Sequence, residues 1–344
     1  MNPDAGRGNW LFVTLRLESG EELPFFLDTG SSGTVFDKSL EPELGKRLHT
    51  FKVKHYSDLI PAGVYAAPKL FLGDTPLVTG PTIWTFDVKS LSSLAGRPVM
   101  GILGMDCLRH YRVQMDFAAG KLRFLPADGM DKSALGVAYP LSLRHDVTWI
   151  DGRSFLGTTN THLMVDAGNA HDGDLATDLF HHELQAHTLR VESEQIDGKP
   201  PGKALLHQCT WDGRAYTNLL VGHGVNSLGL RFLARHLVTF DFPNRTLYLK
   251  PITSDPLRDE QLEAAADFLR HLQQAGLVPG WTSNDTVNLE LERIPKSQAY
   301  DFRHDDGLSA SHYRISRIKD ADWKLEKAWK TDQNDHTTEE FPIR

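Results

Sequence analysis

The segment Leu103-Gly104-Met105-Asp106-Cys107-Leu108, continuing through Val113, Asp116-Phe117, Leu122 and Pro126, lies without a gap over a second segment. That segment is Leu228-Gly229-Leu230-Arg231-Phe232-Leu233, continuing through Val238, Asp241-Phe242, Leu247 and Pro251. About a third of the positions in this window are identical, and most others keep their apolar or polar character, so any fold for this chain must build one unit twice. A second matched feature precedes each copy. Pro24-Phe25-Phe26-Leu27-Asp28-Thr29-Gly30-Ser31-Ser32 and His162-Leu163-Met164-Val165-Asp166-Ala167-Gly168-Asn169 are both apolar strands that end in Asp-x-Gly. The repeats divide the chain into expected domains at 1–130 and 131–252.

Both repeats are written in short β-branched and aromatic runs broken by Gly, Pro, Asp and Asn, such as Leu11-Phe12-Val13-Thr14-Leu15-Arg16-Leu17 and Leu237-Val238-Thr239-Phe240-Asp241-Phe242. This pattern predicts a mainly β chain. Beyond residue 252 the pattern changes. Leu262, Ala265, Ala266, Leu269 and Leu272 recur at helical spacing, and Gly276 stands where a C-cap belongs. Alternation then returns, with Val287, Leu289 and Leu291 on one face of a run and Trp323, Leu325 and Trp329 on one face of another. Residues 253–344 therefore read as a small accessory domain, a helix followed by antiparallel strands.

With 37 basic and 45 acidic residues and a net charge of -8, the chain has no electrostatic footprint for nucleic acid or an anionic membrane. No window approaches the roughly 20 apolar residues of a membrane span, and the first nine residues lack the basic and apolar regions of a signal peptide. The chain reads as soluble; were a targeting segment trimmed from upstream of Trp10, its compartment would be periplasmic or extracellular. Cys107 and Cys209 are too few for a disulfide framework and are expected to be free, buried thiols.

Two Asp-x-Gly loops suggest a specific chemistry. Peptide hydrolysis without a metal or a covalent intermediate needs one group to deprotonate water and another to protonate the carbonyl oxygen. Two adjacent carboxylates supply both, because like charges so close cannot both ionise and one keeps a proton. Gly30 and Gly168 let each strand turn sharply where a Cβ would crowd the facing loop. Ser31 and Asn169 are expected to hydrogen-bond the neighbouring carboxylate.

On these motifs the sequence resembles the pepsin-like and retropepsin-like aspartic peptidases. Their lobes carry an apolar-apolar-Asp-Thr/Ser-Gly-Ser/Thr loop and, later, an apolar-apolar-Gly segment leading into a short helix and a final hairpin. Ile102-Leu103-Gly104-Met105-Asp106-Cys107-Leu108 with the runs from Val113 and Gly120 fits that second element, and Ser227-Leu228-Gly229-Leu230-Arg231-Phe232-Leu233 with its hairpin fits it again. The resemblance implies two homologous β-barrel lobes with pseudo-twofold symmetry in a monomer. It implies an endopeptidase in which Asp28 and Asp166 activate one water, supported by Thr29, Gly30 and Ser31 on one loop and Ala167, Gly168 and Asn169 on the other. It implies a peptide or protein substrate, and neither cofactor nor metal.

The family also closes a hairpin flap over its substrate. Here the candidate runs from Phe51 to Tyr56, turns near Pro61-Ala62-Gly63 and returns through Val64-Tyr65, with Tyr56 or Tyr65 as its aromatic. One position departs from the family pattern: Ala167 replaces a hydroxyl residue that bonds the opposite loop, and Asn169 is expected to substitute for that support. The alternative function is a catalytically weak or inactive peptide-binding protein of the same fold. A third is an interaction protein working through residues 253–344, with Trp281, Trp323 and Trp329 in one patch. The run from His171-Asp172-Gly173-Asp174 to His181-His182-Glu183 is rich in potential ligands but matches no tetrahedral spacing, and reads as a loop and an Asp-capped helix start.

Overall fold

The computed structural model describes all residues except 56–57, 89–90, 93–94, 96, 126–130, 158–160, 192–201, 259, 279–289, 294–298, 306–309, 318–321, 333–335 and 343–344. The chain is mainly β and falls into two compact units, one running to Leu257 apart from short loop excursions, the other from Arg258 onward. Both sequence repeats lie in the first unit and share one hydrophobic core, which runs from Leu11, Phe25 and Leu103 to Val165, Leu228 and Leu249.

The first repeat contributes β1 (Phe12–Leu17), β2 (Glu22–Leu27), β3 (Val35–Asp37), β4 (His49–His55), β5 (Asp58–Ala66), β6 (Leu70–Leu72), β7 (Thr75–Leu77), β8 (Thr82–Phe86), β9 (Gly101–Leu103), the short helix α1 (Met105–Leu108), β10 (Arg112–Asp116) and β11 (Lys121–Leu125). The second contributes β12 (Val137–Pro140), β13 (Ser142–Arg144), β14 (Val147–Gly152), β15 (Thr161–Asp166), β16 (Gly173–Ala176), α2 (Thr177–Gln185), β17 (Arg190–Val191), β18 (Lys203–Trp211), β19 (Arg214–Gly224), β20 (Ser227–Gly229), α3 (Leu230–Leu233), β21 (His236–Asp241) and β22 (Thr246–Pro251). The duplication is visible in the pairing. β2 runs parallel to β9 and β15 parallel to β20, each pair leading into a four-residue helix and a hairpin.

None of the sheets closes into a barrel, which corrects the expectation of two barrel lobes. The edges stay apart: the nine-stranded sheet of the first repeat ends at β4 and β7, and the second repeat divides most of its strands between two four-stranded sheets, β13-β14-β15-β20 and β16-β19-β18-β17. β10 pairs antiparallel with β21, from Arg112↔Asp241 to Asp116↔Leu237, so the hairpin of each repeat joins a common sheet ordered β11-β10-β21-β22-β12. Arg112 bonds Asp241 across this seam at 2.8 Å, with Asp241 fully buried.

The β4–β5 hairpin is present, but its turn is not at Pro61-Ala62-Gly63. Phe51 pairs with Ala62 and His55 with Asp58, so Pro61 lies inside a strand; residues 56–57 lie outside the described residues. Pro61 is tolerated because β8 covers β5 only from Gly63 to Ala66, leaving that flank unpaired at Pro61. In the second repeat β18 and β19 are joined by Asp212-Gly213, both at positive φ (48° and 76°), the signature of a tight hairpin turn.

The second unit consists of α4 (Glu260–Gln274) and a meander of β23 (Glu290–Arg293), β24 (Ala299–Asp305), β25 (Ala310–Ser316), β26 (Lys324–Thr331) and β27 (Thr337–Phe341). Its helix ends as the sequence indicates. Gly276 has φ +68°, its N–H bonds Gln273 O at 2.9 Å and Leu277 N–H bonds Leu272 O at 2.9 Å, a Schellman cap. Ala265 and Leu269 pack with Tyr300, Phe302, Tyr313, Ile315 and Ala328. A bulge overturns one expectation: Arg314 pairs with Lys327 but Ile315 pairs with Leu325, so Glu326 is the extra residue and the alternation flips. Trp323 and Leu325 therefore pack on the core, whereas Trp329 stacks on His312 at 4.9 Å and is not part of it. Trp281, Val287 and Leu289 lie outside the described residues. No helix among the described residues is long and apolar enough to cross a membrane.

Candidate active site

Each catalytic-loop candidate is set at the end of a strand whose alternate side chains are locked in the core. Phe25 and Leu27 are fully buried ahead of Asp28, as are Leu163 and Val165 ahead of Asp166. Past each aspartate the backbone turns in the same way. Gly30 N–H bonds Asp28 Oδ1 at 2.7 Å and Gly168 N–H bonds Asp166 Oδ1 at 2.9 Å. Met105 N–H then bonds Ser31 O at 2.8 Å, and Leu230 N–H bonds Asn169 O at 2.7 Å, so the first turn of each short helix clamps the loop beside it. Gly104 and Gly229 make these contacts possible, since a Cβ on either would lie 2.3 Å from a loop carbonyl oxygen, that of Gly33 or His171.

The two loops meet head to head. A Cβ on Gly30 would lie 2.6 Å from Oδ1 of Asp166, and one on Gly168 would lie 2.3 Å from Cγ of Asp28. Each glycine is thus the floor on which the opposite carboxyl rests, and the two carboxyls hydrogen-bond each other. Burial pushes Asp28 above the ordinary carboxylate range, opposed by the N–H groups of Gly30, Ser31 and Gly168. Burial, followed by the charge of Asp28 and the bond shared with it, pushes Asp166 well above that range. Burial and mutual repulsion together favour one proton shared by the pair over two charged carboxylates.

Thr29 ties the loops together: its hydroxyl donates to Val165 O at 2.6 Å and accepts from Ala167 N–H at 2.9 Å. Ala167 cannot return this arrangement. Two residues that sequence reasoning missed brace the loops from other parts of the chain. Thr148 of β14, fully buried, places its hydroxyl 2.6 Å from Val165 O and 3.2 Å from Thr29 O. Trp10 donates its indole N–H to Gly168 O at 2.7 Å while stacking on Phe26. The alternation of Val147-Thr148-Trp149-Ile150 marks Thr148 as inward-facing, but nothing in the sequence connects it to a loop on the other repeat.

The expected roles of Ser31 and Asn169 need correcting. Ser31 directs its hydroxyl to Gly33 O at 2.8 Å, and it is its backbone N–H that serves Asp28. Asn169 accepts from His171 N–H at 3.0 Å and bonds the side chain of Asp174, serving Asp166 only through its backbone N–H. Asn169 is therefore not the substitute for the missing hydroxyl; Thr148 instead adds a second hydroxyl at Val165 O, beside that of Thr29. Tyr65 is buried in the core of the first repeat and its hydroxyl accepts from Arg47 Nε at 3.0 Å, so it is held in a network with Glu41 and Thr85. Tyr56 lies outside the described residues.

The His171 to Glu183 run is accounted for by packing. Asp172 is fully buried, 2.7 Å from Arg235 and 3.6 Å from Arg231, and it accepts from Leu220 N–H at 2.8 Å. Helix α2 starts after Ala176 with no side-chain cap, so the Asp-capped start is not formed. Among the described residues no cluster of three or more His, Cys, Asp or Glu could hold a metal ion. Cys107 and Cys209 are free and buried, and burial pushes both thiols up to about 12. Comparison with protein-family models and with curated sequences finds no match for this chain.

Proposed function

We propose that this chain is an aspartic endopeptidase of the pepsin-like and retropepsin-like kind, its lobes formed by residues 1–130 and 131–252, with residues 253–344 as an accessory domain. The observation that carries the reading is the pair of hydrogen-bonded carboxyls, each resting on the glycine of the opposite repeat. Asp28, ionised, takes a proton from a water lying between the carboxyls as that water attacks the peptide carbonyl carbon. Asp166, protonated, gives its proton to the carbonyl oxygen, so the tetrahedral diol forms without a free oxyanion. Collapse of the diol passes a proton to the leaving nitrogen and returns the pair to its single-proton state. Neither a covalent intermediate nor a cofactor is required, and the substrate is a peptide or protein. The pseudo-twofold arrangement within one chain supplies both carboxyls to a monomer.

Incubation of the purified full chain with a mixed peptide library from acidic to neutral pH tests the reading. We expect cleavage that pepstatin blocks and that Asp28→Asn abolishes. Cleavage that survives Asp28→Asn overturns it. Peptide binding without cleavage replaces it with the peptide-binding alternative, for which the missing hydroxyl at Ala167 would be the cause.

A further inference from the structure

The two repeats present different chemistry on either side of the carboxyl pair. Val35 stands two residues before Asp37, the cap of the 3-10 helix Lys38–Glu43, and Asp174 stands two before Ala176, the cap of α2. Each is followed by a fully buried core residue, Phe36 or Leu175, so the positions correspond. The second loop reaches this register with one extra residue, Gly173, at φ +152°, where a Cβ would lie 2.1 Å from Ser227 O. In the first repeat Val35 pairs across parallel strands with Trp84, whose ring covers Gly33 and meets Phe51 edge-on at 5.2 Å. In the second, Asp174 pairs with Gly222. An aromatic pair in the first repeat thus corresponds to a carboxylate set in a glycine gap in the second.

The gap is shaped around the carboxylate. Oδ1 of Asp174 lies 2.4 Å from where a Cβ on Gly222 would be, so the side chain occupies the space the glycine leaves. Asn169 bonds Asp174 through its side chain and Asp166 through its backbone, which puts one residue between this carboxylate and the dyad. Asp174 makes no ion pair among the described residues. Lys203, exposed and in register across Gly222, and His223 on β19 act on it only at longer range, against the repulsion of Asp166. Burial, opposed by the Asn169 bond, lifts Asp174 to about 6, which leaves it charged at neutral pH. On the same sheet face, two residues further along, half-buried Leu205 and Leu220 pair with each other and offer an apolar floor.

A half-buried carboxylate beside an apolar strip matches a cation carried on an aliphatic stem. We propose that Asp174 sets substrate specificity by receiving a Lys or Arg side chain of the peptide, on the opposite side of the scissile bond from an apolar or aromatic residue received by Phe51 and Trp84. This assignment rests on the peptidase reading. It names the substrate class as peptides with a basic residue next to, and an apolar residue across, the bond that is cut.

Cleavage sites mapped on a synthetic peptide library with the full chain at pH 7 test it. The expected result is enrichment of Lys and Arg at one position flanking the cut. The ratio of kcat/KM for a Lys peptide over its Leu counterpart should fall about tenfold or more in Asp174→Asn, the range of a lost charge-assisted hydrogen bond. Lys203→Ala, which removes a competing cation, should raise that ratio. Cleavage without basic preference, or a preference that survives Asp174→Asn, overturns the assignment while leaving the peptidase reading intact. A wild-type chain that cuts no peptide overturns both.

Discussion

The two repeats carry the same backbone trick with unequal side chains. Both loops end a buried strand, both return a glycine N–H to their own aspartate, and both are clamped by the first N–H of a four-residue helix. Yet the first repeat supplies the cross-loop hydroxyl, Thr29, while the second has Ala167, with Thr148 of β14 bonding Val165 O and Trp10, just ahead of β1, bonding Gly168 O. Backbone geometry is what a carboxyl pair requires; the side chains that hold it can come from anywhere close by. The second repeat also carries the titratable load, with His171, Asp174 and His236 where the first repeat has Gly33, Val35 and Tyr111 at corresponding positions.

The comparison breaks most sharply at the glycines. Gly168→Ala and Gly30→Ala each place a methyl against the opposite carboxyl, at 2.3 and 2.6 Å, and both should lower peptide cleavage about a thousandfold, within the range that positioned acid–base groups contribute. If one variant is tolerated, the symmetry of the pair is lost. Thr29→Val comes next: it removes two hydrogen bonds and orphans the buried Ala167 N–H. It should lower unfolding free energy by about 2–3 kcal/mol in urea, against about 1 kcal/mol for Thr148→Val, which leaves Val165 O still bonded to Thr29. Equal losses would show that Thr148 matters as much as the Thr29 hydroxyl.

Titration separates the repeats further. Burial holds His236 down to about 4, with Tyr216 and Phe232 O on its ring nitrogens, and holds His171 down to about 4. An unfolded histidine protonates near 6.5, so between about 6.5 and 4 the unfolded state binds more protons and stability falls as pH falls. His236→Gln should flatten that decline in urea midpoints measured from pH 7 to 4. Asp166 works with the opposite sign. Its raised folded value means its contribution is fully present below the unfolded carboxylate range near 4 and is lost as pH rises through the folded value, so Asp166→Asn should gain stability relative to wild type as pH increases. The smallest effect is expected of Trp10→Phe, which keeps an aromatic ring against Phe26 but drops the bond to Gly168 O, a loss of about 0.5 kcal/mol by thermal denaturation.

What the sequence made legible was local or periodic. The duplicated Leu-Gly segment, the two Asp-x-Gly loops and the Gly276 cap each depend on neighbours within a few residues, where propensity and spacing act directly. Thr148 and Trp10 have no such signature, because the groups they meet are distant in sequence: Thr148 reaches Thr29 O across 119 positions and Trp10 reaches Gly168 across 158. Local signals also misled where tertiary context overrode them. Pro61-Ala62-Gly63 reads as a turn but sits in β5 beside a free flank, and the regular spacing of Trp323, Leu325 and Trp329 is interrupted by a bulge at Glu326 that no residue type announces.

The strand pairing of β10 with β21 has a consequence in time as well as in space. Local hairpins form quickly, whereas pairings between distant parts of a chain must first overcome the entropy of closing a long loop. Arg112 meets Asp241 across 129 positions and Thr29 meets Ala167 across 138, so the carboxyl pair belongs to the slowest class of contacts in the molecule. During synthesis, a chain that has released only its first repeat holds Asp28 with no partner and no shared proton. The floor that each glycine gives the opposite carboxyl therefore exists only once the second repeat has docked, so the site is among the last features of the molecule to be completed.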